Sequence, residues 1–167
     1  MRQLLFIALL ITLCLSCKRE KISGGETVEI YLLKTIQTVS GKCQIDPSLS
    51  VIQDIPTIRN QDILEYSQTS YEFKLSDVAF QKVKTFLDWT PFAVTVGKQV
   101  IYYGFFKPGI SSSSCNHSIT MDIAWSSEKK IVLRLGYPTP PTGITIDDQR
   151  NNAKLLATLR TQGKLRQ

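Results

Sequence analysis

The chain has 167 residues, of which 43% are hydrophobic and 20% charged, and its net charge is +6. That balance is ordinary for a globular protein and excludes a disordered or collagen-like chain. Lysines and arginines are scattered rather than blocked, so a solvated, mildly basic surface is expected and nucleic-acid binding is not.

The chain opens on Met1-Arg2-Gln3, the apolar run Leu4 to Leu15, and Ser16-Cys17. One positive charge, an apolar run and a small residue ahead of a cysteine have the form of a secretion signal. At about 1.5 Å per residue the run covers roughly 18 Å, too little for a hydrocarbon layer about 30 Å thick. These residues resemble the lipobox of bacterial lipoproteins, in which the cysteine after a small residue receives a diacylglycerol on its sulfur. The resemblance implies removal of a signal peptide over residues 1–16, palmitate-type acylation of Cys17, and anchoring in the bacterial cell envelope. The departure from the pattern is Cys14, which stands where a leucine usually lies. Lys18 gives no acidic retention cue, and the outer membrane is expected rather than the inner. Residues 17–25, ending Ser23-Gly24-Gly25, read as a tether of reach under about 28 Å. Residues 26–167 read as a single domain with one core.

Val28 to Ile36 predicts a strand with Val28, Ile30 and Leu32 on one face. Residues 37–70 carry turn signals at Ser40-Gly41 and Asp46-Pro47 and read as mostly irregular, with one helical turn near Asp62 to Tyr66. Tyr71, Phe73 and Leu75 alternate with Glu72 and Lys74 as a half-buried strand does. A helix capped by Ser76 comes next, with an apolar stripe of Ala79, Phe80, Val83, Phe86 and Leu87, ending at Trp89 to Pro91. Phe92, Val94 and Val96 predict a strand, Gly97-Lys98 a type II′ turn, and Gln99 to Phe106 its hairpin partner. Ile119 to Trp125 and Ile131 to Leu135 predict a second hairpin through Ser126 to Lys130. Tyr137 to Pro141 reads as an extended connector. A closing helix from Asp147 to Gln162 is expected to bury Ala153, Leu156, Ala157 and Leu159 and to end at Gly163.

The expected class is α+β, an antiparallel sheet of about five or six strands with two helices packed on one face. The run Val100 to Phe106 is apolar on both sides, with Ile101, Tyr103 and Phe105 facing one way and Val100, Tyr102 and Phe106 the other. Either residues 37–70 cover its second face, or Tyr102 and Phe106 form an aromatic patch open to a ligand. Gly104 in mid-strand marks a bulge or a close backbone approach.

The run Pro91 to Phe106, the serines before Cys115, Gly136-Tyr137-Pro138 and the ending Thr158 to Leu165 resemble a set of small uncharacterised bacterial lipoproteins. That resemblance brings no activity with it. The order of helix, hairpin and closing helix is also similar to the periplasmic head domain of the Sec-type D/F protein-export subunit.

Cys43 and Cys115 would share an oxidising compartment, where paired cysteines commonly join, and both the bridge and two free thiols stay open from the sequence. His117 is the single histidine, in the loop Ser111-Ser112-Ser113-Ser114-Cys115-Asn116-His117-Ser118. Cys115 with His117 could supply a nucleophile and base, but two candidate ligands fall short of a zinc site. No phosphate loop, nucleotide fingerprint or zinc-protease signature occurs, and no cofactor or metal is expected. Arg150, Lys154, Arg160, Lys164 and Arg166 read as a positive ridge on the closing helix and its end. The expected function is a membrane-anchored, non-enzymatic binding domain, with Tyr102, Phe106 and His117 as its candidate surface and an envelope protein or glycan as its partner. The alternatives are an envelope enzyme using the Ser111 to His117 loop and an inhibitor or immunity-like protein.

Overall fold

The computed structural model describes residues 25–123, 128–139 and 142–167. The expected signal, Cys17, all but the last residue of the tether, Trp125 and Pro140-Pro141 lie outside them. The strands are β1 (Val28–Thr35), β2 (Val51–Ile52), β3 (Ile63–Ser67), β4 (Glu72–Leu75), β5 (Pro91–Val96), β6 (Gln99–Phe106), β7 (Cys115–Ile123), β8 (Lys130–Tyr137) and β9 (Leu165–Arg166). Among the described residues two helices, α1 (Asp77–Val83) and α2 (Ala153–Thr161), complete the α+β fold together with short 3-10 turns at Pro47–Leu49 and Asn60–Asp62.

All nine strands form one sheet in the order β2-β1-β5-β6-β7-β8-β4-β3-β9. The sheet is mixed and longer than expected. β6 runs parallel to β7 and β3 parallel to β9, while the remaining pairs are antiparallel. Three of the added strands are short. β2 and β3 come from the stretch expected to be irregular, where Asp62 to Tyr66 is the 3-10 turn's end and strand β3 rather than a helical turn. β9 comes after α2 and pairs Leu165 with Tyr66.

Both helices pack into the same cluster. Ala79, Phe80 and Val83 of α1 and Leu155 and Leu159 of α2 join Val28, Ile30, Phe73, Phe92, Val94, Met121 and Leu133 of the strands. Ser76 caps α1 by accepting from the Ala79 N–H at 3.3 Å and donates to Asp62 at 2.7 Å. The helix is shorter than its apolar stripe: Phe86 still packs, edge-on to Phe106, but Leu87 is 76% exposed. α2 begins late because Asn152, not Asp147, accepts from the Lys154 N–H as its cap. Its buried residues are consequently Leu155, Thr158 and Leu159, and Ala153 and Ala157 face outward. It ends as a Schellman turn at Gly163, with the Gly163 and Lys164 N–H groups donating to the Arg160 and Leu159 carbonyls.

The β5–β6 turn has positive φ at both Gly97 and Lys98, 57° and 67°. That is a type I′ turn, not the expected type II′. In β6 the register against β5 slips between Tyr102 and Val100, leaving Ile101 as the extra residue of a bulge. The bulge reverses the expected faces below it: Ile101 packs on the helix-side core, while Val100 joins Tyr103 and Phe105.

The second face is covered. Leu33, Ala93, Phe105 and Cys115 pack there with Ile45, Cys43 and Ile52 from the 43–52 stretch. Tyr102 and Phe106 form no open patch; they are 6% and 1% exposed on the helix side. β6 meets β7 over three pairs, Gly104 with Ile119, Phe105 with Thr120 and Phe106 with Met121. A Cβ on Gly104 would lie 2.3 Å from the Ile119 carbonyl oxygen and 2.6 Å from the Phe92 ring. Gly104 therefore marks the close approach. Gly104→Ala is expected to lower stability by about 3 kcal/mol, read as a fall in urea midpoint.

Candidate functional site

Two bulges frame a cleft between β6 and β7. On β7, the step from Cys115 to Ile119 spans four residues against the two from Tyr137 to Leu135 on β8. Asn116 to Ser118 thus swell out of the ladder opposite the Ile101 bulge of β6. The parallel ladder stops at Gly104–Ile119, and the strands below it stand apart around a cleft of about 360 Å³. Its walls are Val100 to Tyr103 of β6, His117 to Ile119 of β7, Gln44, Ile45 and Pro47 of the cover, and Ile146, Asp147 and Gln149 ahead of α2.

Of the three residues expected to form a binding surface, Tyr102 and His117 share this cleft and Phe106 does not. Tyr102 is buried, its hydroxyl has no hydrogen-bond partner among the described residues, and burial pushes that phenol well above its ordinary value. It therefore stays a neutral O–H. His117 is half-buried, and its backbone N–H approaches Cys43 Sγ at 3.3 Å. Ser118 donates to the Cys43 carbonyl at 2.7 Å and keeps its lone pairs. Asp147 accepts from Gln149 Nε2 on both oxygens at 2.9 Å. No lysine or arginine lines the cleft.

Cys43 and Cys115 are joined by a disulfide with Cα atoms 5.4 Å apart. The bridge ties the Gln44–Pro47 wall to β7 and occupies the sulfur that a Cys115–His117 nucleophile would need. Among the described residues no group of three or more His, Cys, Asp or Glu is placed to hold a metal ion.

The serine loop has a role that its sequence does not announce. Lys107, the residue after β6, is 0% exposed beneath it. Its ammonium lies 2.6 Å from Asp88, donates to Ser113 Oγ at 2.6 Å, and sits over the Trp89 ring at 4.1 Å. Ser111 and Ser113 each donate to the other Asp88 oxygen at 2.7 Å, and the Trp89 indole N–H donates to Ser113 at 2.9 Å. Burial would raise the Asp88 carboxyl, but hydrogen bonds from Lys107, Ser111 and Ser113 outweigh it and hold the group below the usual carboxylate range. A lysine 2.6 Å from a serine has the spacing of a Ser–Lys nucleophile. The same ammonium is ion-paired with Asp88 and packed over Trp89. The network anchors the β6–β7 crossover, and Gly109 adds a backbone hydrogen bond to buried Asp122. Lys107 and Asp88 carry no motif; an ion pair formed across 19 positions is visible only once the crossover is folded.

The expected positive ridge is dispersed. Arg150 precedes α2, forks onto Asp148 at 2.8 Å, donates to the Leu133 carbonyl at 3.0 Å and stacks on Tyr71 at 3.7 Å. Lys154 pairs with Glu26 at 2.8 Å and Arg166 with Glu65 at 3.1 Å, while Lys164 donates to the Asn60 carbonyl. Arg160 is exposed near the end of α2. Among the described residues no helix is long and apolar enough to cross a membrane.

No family model matches the chain, and no curated protein or solved structure matches it.

Removing the disulfide by the Cys43→Ala/Cys115→Ala pair frees a loop spanning 72 positions. It is expected to lower stability by about 4 kcal/mol, measured by urea unfolding. Asp88 is held low in the folded state, so its contribution is fully present above the unfolded value of about 3.9 and is lost as pH falls through the folded value. Asp88→Asn is therefore expected to flatten the decline of urea midpoint below about pH 4. At pH 7, Asp88→Ala leaves Lys107 buried and uncompensated, and a loss of about 3 kcal/mol is expected, with a smaller one for Lys107→Met.

Proposed function

We propose that this chain is a lipoprotein anchored through Cys17 in the bacterial cell envelope, in the outer membrane rather than the inner, whose folded domain binds a ligand without transforming it. The anchor rests on the apolar run Leu4 to Leu15 followed by Ser16-Cys17. Three acyl chains, at about 0.8 kcal/mol per buried methylene, would make that attachment permanent. The binding reading rests on one observation above all: the cleft between the bulged stretches of β6 and β7, which brings Tyr102 and His117 to one concave wall. The cleft's size lies within the range of small-ligand sites, about 300–1,000 Å³. Against catalysis stand the bridged Cys115 sulfur and the ion-paired Lys107.

Intact-mass analysis of the full chain produced in a lipoprotein-processing bacterium tests the anchor. A mature product beginning at acylated Cys17 is expected, with Cys17→Ser leaving the protein in the soluble fraction. A product with an unmodified thiol, or one still bearing its leader, removes the reading.

A further inference from the structure

Cations from three elements stand where the tether enters the fold. Glu26 and Thr27 arrive beside the β5–β6 turn, where the Gly97 N–H donates to the Thr27 carbonyl at 2.9 Å. Lys98 is the next residue of that turn. Lys154 of α2 reaches the same point, its ammonium 2.8 Å from Glu26 and 3.0 Å from the Gln99 side-chain oxygen. On the other side the Val28 N–H donates to the Asn60 side chain at 3.0 Å, which brings Arg59 alongside. Arg59 and Lys98 are both exposed, and among the described residues no carboxylate lies within ion-pair distance of either. A type I′ turn favours glycine or asparagine at its two central places. Lys98 holds one of them at φ 67°.

Reach limits which surface can meet a bilayer. Residues 17–25 span under about 28 Å, so an acylated Cys17 keeps Glu26 within that distance of the lipid. β1 leads away from this root: Lys34 lies six residues beyond Val28, about 20 Å along the strand. Charge decides the rest. The tether carries Lys18, Arg19 and Lys21 against Glu20, and the root carries Arg59, Lys98 and Lys154 against Glu26. An anionic membrane surface attracts each basic residue beside it by about fivefold in population, over roughly 8 Å at physiological salt. Uncharged headgroups offer no such attraction. On the reading that Cys17 is the anchor, we infer that this root face, with Arg59, Lys98 and Lys154, docks on anionic phospholipid headgroups of the bilayer that holds the acyl chains. The far ends of β1 and α1 then point away from the membrane.

Lysine acetylation rates read by mass spectrometry test the contact residue by residue. The full chain, produced in a lipoprotein-processing bacterium, is moved from detergent into vesicles of phosphatidylcholine with or without phosphatidylglycerol. Lys98 and Lys154 are expected to react about fivefold more slowly on the anionic vesicles at low salt and to recover at high salt. Lys34 and Lys84 are expected to react alike on both. Arg59→Glu combined with Lys98→Asp is expected to restore the Lys154 rate. Arg59 makes no side-chain cap bond, and aspartate tolerates the left-handed turn position, so an unchanged melting temperature is expected. The comparison of the two vesicles on the unaltered chain stands without that variant. Equal rates at Lys98 and Lys154 on both vesicles, with Cys17 acylated, would overturn the docking and leave the anchor standing. Protection at Lys34 or Lys84 in their place would overturn the orientation, and protection that survives the double variant would overturn the role of charge. An unacylated Cys17 would remove the anchor. Co-sedimentation of that chain with the anionic vesicles alone would still support the face, and any other pattern would overturn both.

Discussion

Three residue pairs join the two halves of the sheet. On one side of the β6–β7 ladder lie β2, β1, β5 and β6, on the other β7, β8, β4, β3 and β9, and only Gly104 to Phe106 against Ile119 to Met121 join them within the sheet. Parallel neighbours require the chain to return to its starting end, usually by a dozen residues or more with a helix. Here the return has residues 107–114 alone. That stretch makes one turn, with the Ser111 N–H donating to the Pro108 carbonyl at 2.8 Å, and is too short to satisfy all its polar groups internally. Asp88 and Trp89 complete that satisfaction from outside the loop. The glycine, the buried ion pair and the cleft thus share one cause: an abrupt parallel turn inside a largely antiparallel sheet.

A strand buried on both sides needs cover on both, and the helices supply only one. β5 is buried from Phe92 to Val96, and Leu33, Ala93 and Phe105 have no helix over them. Their cover consists of two irregular stretches, each held by one strong device where secondary structure is lacking. The disulfide fixes the 43–52 stretch and the Lys107 network fixes the crossover. The cleft opens where the first of these covers ends, so the devices that complete the core also set the shape of the site.

Local patterns were legible in the sequence and long-range pairings were not. The strand at Val28, the capping by Ser76, the β5–β6 hairpin and the stop at Gly163 each arise from residues within a few positions of one another. Gly104 was readable as a close approach because a glycine amid aromatics in a strand has few other uses. The phase of α2 was missed because Asp147 and Asp148 mimic a helix start, whereas Asp148 is committed to Arg150 and the cap falls to Asn152. The faces of β6 were missed at Ile101, since a bulge leaves alternation intact on either side and shifts only its phase. β2, β3 and β9 are defined by partners far along the chain; β9 has two residues and no periodicity at all. At the site, Tyr102 and His117 could be singled out as residues, but their convergence depends on two bulges that no short-range signal encodes. Phe106, two turns of the pleat away, was grouped with Tyr102 by alternation and in fact belongs to the core.

The termini have a bearing on assembly. Glu26, ahead of the first strand, receives Lys154 and the Gln162 side-chain amide from the last helix, and the final strand docks against Tyr66 and Ser67. Contacts of such wide sequence separation carry a heavy loop-closure entropy and slow the search for the native topology. A chain from which residues 153–167 are withheld lacks both the helix that packs on β1 and the strand β9 at one edge of the sheet. Folding to completion therefore waits on those residues.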